Sequence, residues 1–264
     1  MSEELESNLL LVVDIGNTNT VFGVFSGDSL VADFRIETRR NRTADEFYAV
    51  LEPLLRRSGY MLSMVGDIVM STVVPPSVFP MTRFAQSVIG RAPVVIDHQV
   101  DVGLKLLYHR PEEMGADRVV NSVYAYRHHG ASIVVDFGTA TTFDVVNGAG
   151  EYLGGCITPG IRISMDALFN YASRLPRIEV ARPEHVIGRS TEDAMRSGVY
   201  FGYVAMVDGL TRRLQESAGL KMTVVATGGL AGLIARDSES IDVVEPNLTL
   251  NSLAMLYGEQ RGKE

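Results

Sequence analysis

Residues 12–20 and 134–142 repeat one another, and that repeat constrains the fold more than any other feature of the chain. The first stretch reads Val12-Val13-Asp14-Ile15-Gly16-Asn17-Thr18-Asn19-Thr20, the second Val134-Val135-Asp136-Phe137-Gly138-Thr139-Ala140-Thr141-Thr142. Five of the nine positions are identical, at an offset of 122 residues. Solenoid units recur every ~20–50 residues, so this spacing points to a duplicated domain. Each copy carries an apolar strand ending at aspartate, a glycine turn, a second strand, a Gly-rich turn and a third strand. In the first half the second and third strands are expected at 21–25 and 30–36, in the second half at 143–146 and 152–157. With 264 residues and about 150 per domain, the expectation is two related α/β lobes, 1–126 and 127–264. The break falls near the turn at Gly130.

The rest of each half alternates helix and strand. Thr43 with Glu46 three residues on is a capping box, and Phe47, Val50, Leu51, Leu54 and Leu55 follow at helical spacing, predicting a helix over 43–57. A buried strand is expected at 67–74, a helix at 77–89, a strand at 93–97 and a helical run at 119–127. In the second half a long helix is expected at 191–218, with Gly198, Gly202 and Gly209 permitting close packing. A strand at 221–227, a short helix at 230–235, a strand at 241–244 and a last helix at 247–258, capped by Asn247, complete the pattern. Crossover helices between strands favour mixed sheets with parallel portions.

Composition excludes several classes of function. Hydrophobic residues make up 46% and charged residues 21%, which rules out global disorder. No apolar run approaches the ~18 residues of a transmembrane helix. A net charge of −8 opposes binding to phosphate backbones over most of the surface, so neither a nucleic-acid nor a membrane partner is expected. Cys156 is the one cysteine; it can make neither an internal disulfide nor a cysteine zinc cluster and fits a reducing cytosol. Residues 1–8 are acidic and lack the features of a signal peptide. They read as a short tail, and the expected location is the cytoplasm.

The chemistry concentrates in four motifs. In the two Asp-x-Gly turns, glycine brings backbone N–H groups close to an anion, and the neighbouring Thr and Asn side chains add donors. An Asp at the strand end can hold a cation, directly or through water, that screens phosphates. A single such turn is ordinary; two in matching contexts suit a nucleotide gripped from both sides. Thr227-Gly228-Gly229-Leu230-Ala231 follows a strand and opens a helix, where small residues admit a flat ring or a phosphate. No Walker A spacing competes, because Gly258, Gly262 and Lys263 are wrongly placed. Glu113-Met114-Gly115-Ala116-Asp117-Arg118 precedes a helix, and Asp117 near its N-terminus is electrostatically favoured. It is a helix cap, or a base that orients a hydroxyl nucleophile, with Arg118 holding an anionic group of the acceptor.

Together these motifs resemble the type III pantothenate kinases, of the acetate and sugar kinase/Hsp70/actin superfamily, over residues 9–258. The resemblance implies two ribonuclease H-like (actin-like ATPase) lobes and transfer of a phosphoryl group from ATP to pantothenate, the first step of coenzyme A biosynthesis. It implies ATP binding by Asp14, Ile15, Gly16, Asn17, Thr18, Asn19, Thr20, Val21 and Thr139, with Mg²⁺ near Asp14. Asp117 corresponds to the proton acceptor, and Tyr108, Gly115, Ala116, Arg118 and Thr191 to pantothenate contacts. Asp136 corresponds to the site of a monovalent cation, K⁺ or NH₄⁺, and members are typically cytoplasmic homodimers.

Two other functions fit the same motifs. One is a non-catalytic regulator of the Bvg accessory factor type, which a basic surface patch or loss of Asp117 would favour. The other is a superfamily kinase acting on a sugar or acetate, which Gly115-Ala116-Asp117-Arg118 opposes. The remaining conspicuous residues read as structure. His128 and His129 end a helix, Cys156 is a small buried residue, and Tyr200, Phe201, Tyr203 and Met206 are core or a dimer interface.

Overall fold

The apolar run from Leu9 to Val13 opens a meander of three strands, β1 (Leu9–Ile15), β2 (Asn19–Ser26) and β3 (Ser29–Glu37), of which β3 alternates between buried and exposed positions. This is the start of a computed structural model that describes residues 9–97, 100, 102–172 and 175–262. The acidic tail 1–8 and Lys263 lie outside the described residues. The chain continues through α1 (Ala44–Arg57), β4 (Val65–Thr72), α2 (Val78–Ile89), β5 (Val94–Val95), β6 (Lys105–Leu106) and α3 (Ala116–His129). Then come β7 (Ser132–Phe137), β8 (Ala140–Val146), β9 (Glu151–Pro159), α4 (Ile161–Tyr171) and α5 (Thr191–Ala218). The last elements are β10 (Thr223–Gly228), α6 (Ala231–Ile234), β11 (Val243–Val244) and α7 (Leu248–Arg261).

The duplication is visible in the strand order. The first sheet runs β3-β2-β1-β4-β5, and the second contains β9-β8-β7-β10-β11, with β6 added beside β9. In both, the meander is antiparallel and the strands after it are parallel to its first strand. Tight turns supply the antiparallel pairs, whereas a parallel strand needs a helical crossover.

Contacts group the chain into two units. The first comprises Met1–Val102, Arg110–Asn121 and Thr249–Glu264; the second comprises Gly103–His109 and Ser122–Leu248. The single break expected at 126/127 therefore differs from the observed grouping. The chain passes between units within α3, and α7 from Thr249 onward belongs with the first.

In the first unit, Leu11, Val13, Ile15, Phe22 and Phe34 of the sheet pack with Phe47, Leu51 and Leu55 of α1 and Met81 and Phe84 of α2. Thr43 caps α1 with the capping box its sequence predicts: its hydroxyl accepts from the Glu46 N–H, and the Glu46 carboxylate accepts from the Thr43 N–H. On the other face, a β-carbon at Gly23 would stand 3.1 Å from Leu250 Cδ1 of α7. Tyr257 of α7 donates to the Asp67 carboxylate of β4, which also pairs with Arg91 at 2.6 Å and Arg261 at 3.3 Å. The last helix is thereby clasped to the first sheet.

In the second unit, Ile133, Val135, Phe143 and Val145 pack with Ile161 and Met165 of α4 and Tyr200, Tyr203 and Val207 of α5. α5 starts and stops where its sequence predicts, with Ser190 as N-cap and Gly219 in the left-handed conformation at its end. Three expectations need correction. A β-carbon at Gly198, Gly202 or Gly209 would meet no described atom within 4 Å, so these glycines serve no close packing here. Cys156 is half-buried against the core rather than fully enclosed. The short ladders of β5 and β11 reach only two residues each. His128 accepts its expected structural role: its ring stacks on Tyr124, and Nδ1 lies 2.9 Å from the Tyr124 carbonyl. No helix of the described residues is long and apolar enough to cross a membrane.

Candidate active site

Asp14 is the penultimate residue of β1, and the strand register determines its neighbours. It stands opposite Val21 on β2 and Ser71 on β4, while Val21 stands opposite Arg35 on β3. Opposed residues project to the same face of a sheet. Arg35, Val21, Asp14 and Ser71 therefore form one row across four strands, on the face away from α1 and α2. Ser71 donates its hydroxyl to Asp14 Oδ1 at 2.9 Å. The turn beyond Asp14 closes when the Gly16 N–H donates to the Asn19 carbonyl at 3.0 Å, leaving Asn17 and Thr18 exposed. The Thr38 N–H donates to the Thr18 carbonyl at 2.9 Å, and the Thr20 and Thr38 hydroxyls are 2.9 Å apart. The turn is thus braced by the residue that follows β3, with Asn17 and Thr18 at the surface.

Asp117 lies in the first turn of α3, whose N-terminal end favours a negative charge. Its Oδ1 accepts the Arg118 backbone N–H at 2.8 Å. Gly115 leaves room for this carboxylate, since a β-carbon there would fall 2.5 Å from Asp117 Oδ1. α7 anchors the following turn of the same helix: Ser252 donates to the Val120 carbonyl, and Thr249 donates to Asn121 Oδ1 at 2.8 Å.

Electrostatics joins the two carboxyl groups. Burial, reinforced by the charge of Asp117, pushes the Asp14 pKa up to about 7 against the opposing pull of Ser71 and Arg35. Burial also raises Asp117, against the hydrogen bond and charge supplied by Arg118. Desolvated carboxyls in mutual repulsion take up protons, and a bound cation relieves the same strain. Among the described residues no group of three or more His, Cys, Asp or Glu converges on a metal position. The arrangement fits Mg²⁺, which takes one or two carboxylates and completes its shell with phosphates and water.

The second unit holds the duplicate turn. Asp136 stands opposite Thr142 and Thr227, and the Gly138 N–H donates to the Ala140 carbonyl at 3.1 Å. Gly228, with φ +90°, adopts a conformation that favours glycine. A β-carbon there would fall 2.6 Å from Asp136 Oδ1 and 2.7 Å from the Phe137 carbonyl oxygen. Carboxylate and carbonyl oxygens converging on one small residue suit a hard cation. Thr139 lies in this turn, and Thr191 opens α5. Tyr108 stacks edge-on against Tyr152 with ring centres 6.2 Å apart. The Tyr152 hydroxyl in turn donates to Asp144 Oδ1 at 2.6 Å, and Thr142 donates to Asp144 Oδ2 at 3.2 Å.

Comparison with known proteins decides the family. The profile of the type III pantothenate kinases matches residues 10–213. The type III pantothenate kinase of Myxococcus xanthus (strain DK1622) is 50% identical over 251 residues, covering 95% of this chain and 98% of that protein. The chain belongs to the type III pantothenate kinase family. The family's enzyme from Syntrophotalea carbinolica is 45% identical over 255 residues, 96% of this chain and 100% of that protein. Among solved structures, a protein of Campylobacter jejuni assigned to the Baf family of transcriptional activators superposes with a TM-score of 0.61. It is 18% identical and covers 96% of this chain and 99% of its own. A protein of Sinorhizobium meliloti assigned as a 2-dehydro-3-deoxygalactonokinase superposes with a TM-score of 0.56 at 13% identity, over 96% of this chain and 99% of its own. At such identities the likeness is one of fold alone, a duplicated α/β fold of two mixed sheets flanked by helices.

For this pantothenate kinase family member, residues 14–21 and 115–118 lie within the first unit, where the charge of Asp117 acts on Asp14. Tyr108, Asp136, Thr139 and Thr191 lie in the second. Sequence reasoning missed Ser71, Arg35, Thr249 and Ser252, which act on the site through strand register and through α7. A polar residue at the end of the otherwise apolar run Ile68-Val69-Met70 was the available signal for Ser71.

Proposed function

We propose that the chain transfers the γ-phosphoryl group of ATP to the primary hydroxyl of pantothenate, giving 4′-phosphopantothenate at the start of coenzyme A biosynthesis. The observation that carries this reading is the Asp14–Asp117 pair, one carboxyl at a strand end beside a donor-rich turn and the other in a helix's first turn, in a chain of this family. Phosphoryl transfer needs positioning and charge stabilisation more than covalent help. Residues 14–21 would bind the phosphates, and Thr139 would add an ATP contact.

Asp117 would orient the acceptor hydroxyl and take its proton. A loose transition state asks only for an ordinary carboxylate, but burial raises this one and so makes it the stronger base. Arg118, buried next to it, would pair with the carboxylate of pantothenate. Tyr108, Gly115, Ala116 and Thr191 would complete the acceptor contacts. Mg²⁺ at Asp14, when bound, screens the phosphate charge, and Asp136 would hold K⁺ or NH₄⁺. The reading includes a cytoplasmic homodimer with neither nucleic-acid nor membrane partners.

The test is ADP production with ATP, Mg²⁺ and pantothenate, run in K⁺ and in Na⁺, alongside Asp117→Asn. Pantothenate-dependent turnover that rises with K⁺ and collapses in the variant is expected. A folded, ATP-binding protein without that turnover would overturn the reading in favour of a regulator or another acceptor.

A further inference from the structure

The phosphate-binding turn and the strand leaving it, Asp14 to Val21, contain no lysine or arginine. Transferring a phosphoryl group concentrates negative charge, and a fixed cationic fork next to it is a strong way to stabilise that charge. The strand register supplies one. Arg35 on β3 stands opposite Val21, which stands opposite Asp14. The three side chains share a face, and two strand spacings separate the first from the last, about 10 Å between α-carbons.

Three further observations bear on this arginine. It is exposed, on the side of β3 opposite Phe34, which faces the core. Its same-face neighbours on β3 are Asp33 and Glu37, and Glu37 pairs with Arg39 at 3.3 Å. Among the described residues no ion pair within 4 Å ties Arg35 to either. The duplicated unit provides an internal control: its row reads Asp136, Thr142, Ile157. Ile157, the counterpart of Arg35, is 62% exposed. The sheet itself therefore has no need of a cation at this position, and only the row ending at Asp14 has one.

We propose that Arg35 is the cationic residue of the nucleotide site, its guanidinium binding the phosphate chain of ATP over the turn that Asp14 begins. The inference rests on the ATP-dependent reading above. Guanidinium suits the task because its planar fork matches two phosphate oxygens and it stays charged at all working pH values.

The experiment compares wild type, Arg35→Gln and Arg35→Lys in the full chain, titrating each calorimetrically with Mg²⁺ and a non-hydrolysable ATP analogue, and separately with adenosine. Triphosphate affinity is expected to fall at least about tenfold in Arg35→Gln and to recover partly in Arg35→Lys, with adenosine affinity unchanged. A Gln variant that melts like wild type and binds the triphosphate within twofold of it would overturn the proposal. So would equal losses for triphosphate and adenosine, which mark a general disturbance of the site. Should Arg35→Gln not fold, Arg35→Lys decides in the same titrations. Unchanged triphosphate affinity at both low and high ionic strength overturns the proposal, and a selective loss of triphosphate affinity supports it. Pantothenate turnover by the wild type is scored separately, so failure of the acceptor reading is distinguishable from failure at Arg35.

Discussion

The charge of Asp117 adds to burial in holding the Asp14 carboxyl group near pKa 7. One group arrives on a strand and the other on a helix 103 residues later. Two acids in this relation serve different tasks when a cation occupies one and a hydroxyl the other.

Asp117→Asn keeps the shape of the first turn of α3 and removes the proposed proton acceptor. The turnover number should fall at least about 100-fold, the range of a lost general base. ATP affinity should stay within about threefold, since a neutral residue at 117 eases ionisation of Asp14. Steady-state kinetics with calorimetric titration separates the two. Equal losses in both would make Asp117 a structural cap or a metal ligand.

Asp14 makes stability depend on pH in a definite direction. Its folded pKa of about 7 exceeds the ordinary aspartate value of about 3.9, so the folded state holds the proton more tightly. The contribution is fully present below about pH 4 and is lost as pH rises through about 7. Asp14→Asn escapes that loss. Without divalent cations it should melt above wild type at pH 8, with the gap closing towards pH 4. Thermal melts across that window check this, and a gap of the opposite sign would refute it.

The fold was legible where the causes are local. The Asp-Gly turns announced both meanders, and the matching strand orders follow from them. Ser190 before Thr191 and Gly219 after Ala218 delimit α5 through caps that are local in sequence. By contrast, α4 has Gly160 as its N-cap residue, with no side-chain hydrogen bond, so no start signal marked it. Arg35 and Ser71 lie 21 and 57 positions from Asp14. Period-two patterning tells which face a strand residue takes but not which residue of another strand stands opposite. That knowledge arrives with the register.

Gly228→Ala should be severely destabilising. It combines a φ of +90° with a β-carbon 2.6 Å from the Asp136 carboxylate and 2.7 Å from the Phe137 carbonyl. Loss of at least about 2 kcal/mol is expected in denaturant unfolding. Moderate stability retained with unchanged nucleotide binding would mean that the turn yields more easily than its packing implies.

Tyr152→Phe removes the 2.6 Å donor to the buried Asp144 carboxylate. Leaving an enclosed carboxyl oxygen without its donor supports a loss of about 2 kcal/mol. Because Tyr108 rests edge-on against the Tyr152 ring, which phenylalanine preserves, the KM for pantothenate should change less than stability does. Urea unfolding and acceptor kinetics on the same preparation test both parts.

The clasp between α7 and the first sheet also governs the order in which the protein can mature. Residues from Thr249 onward are translated after the whole of the second unit, yet they cover Gly23 and brace the helix that carries Asp117. A nascent chain can pair its first five strands early and pack α1 and α2 on them. The face that α7 covers stays bare, and the helix that carries Asp117 unbraced, until α7 has emerged from the ribosome. Completion of the proposed site therefore waits on residues 249–261, although Asp14 and Asp117 are synthesised more than a hundred residues earlier.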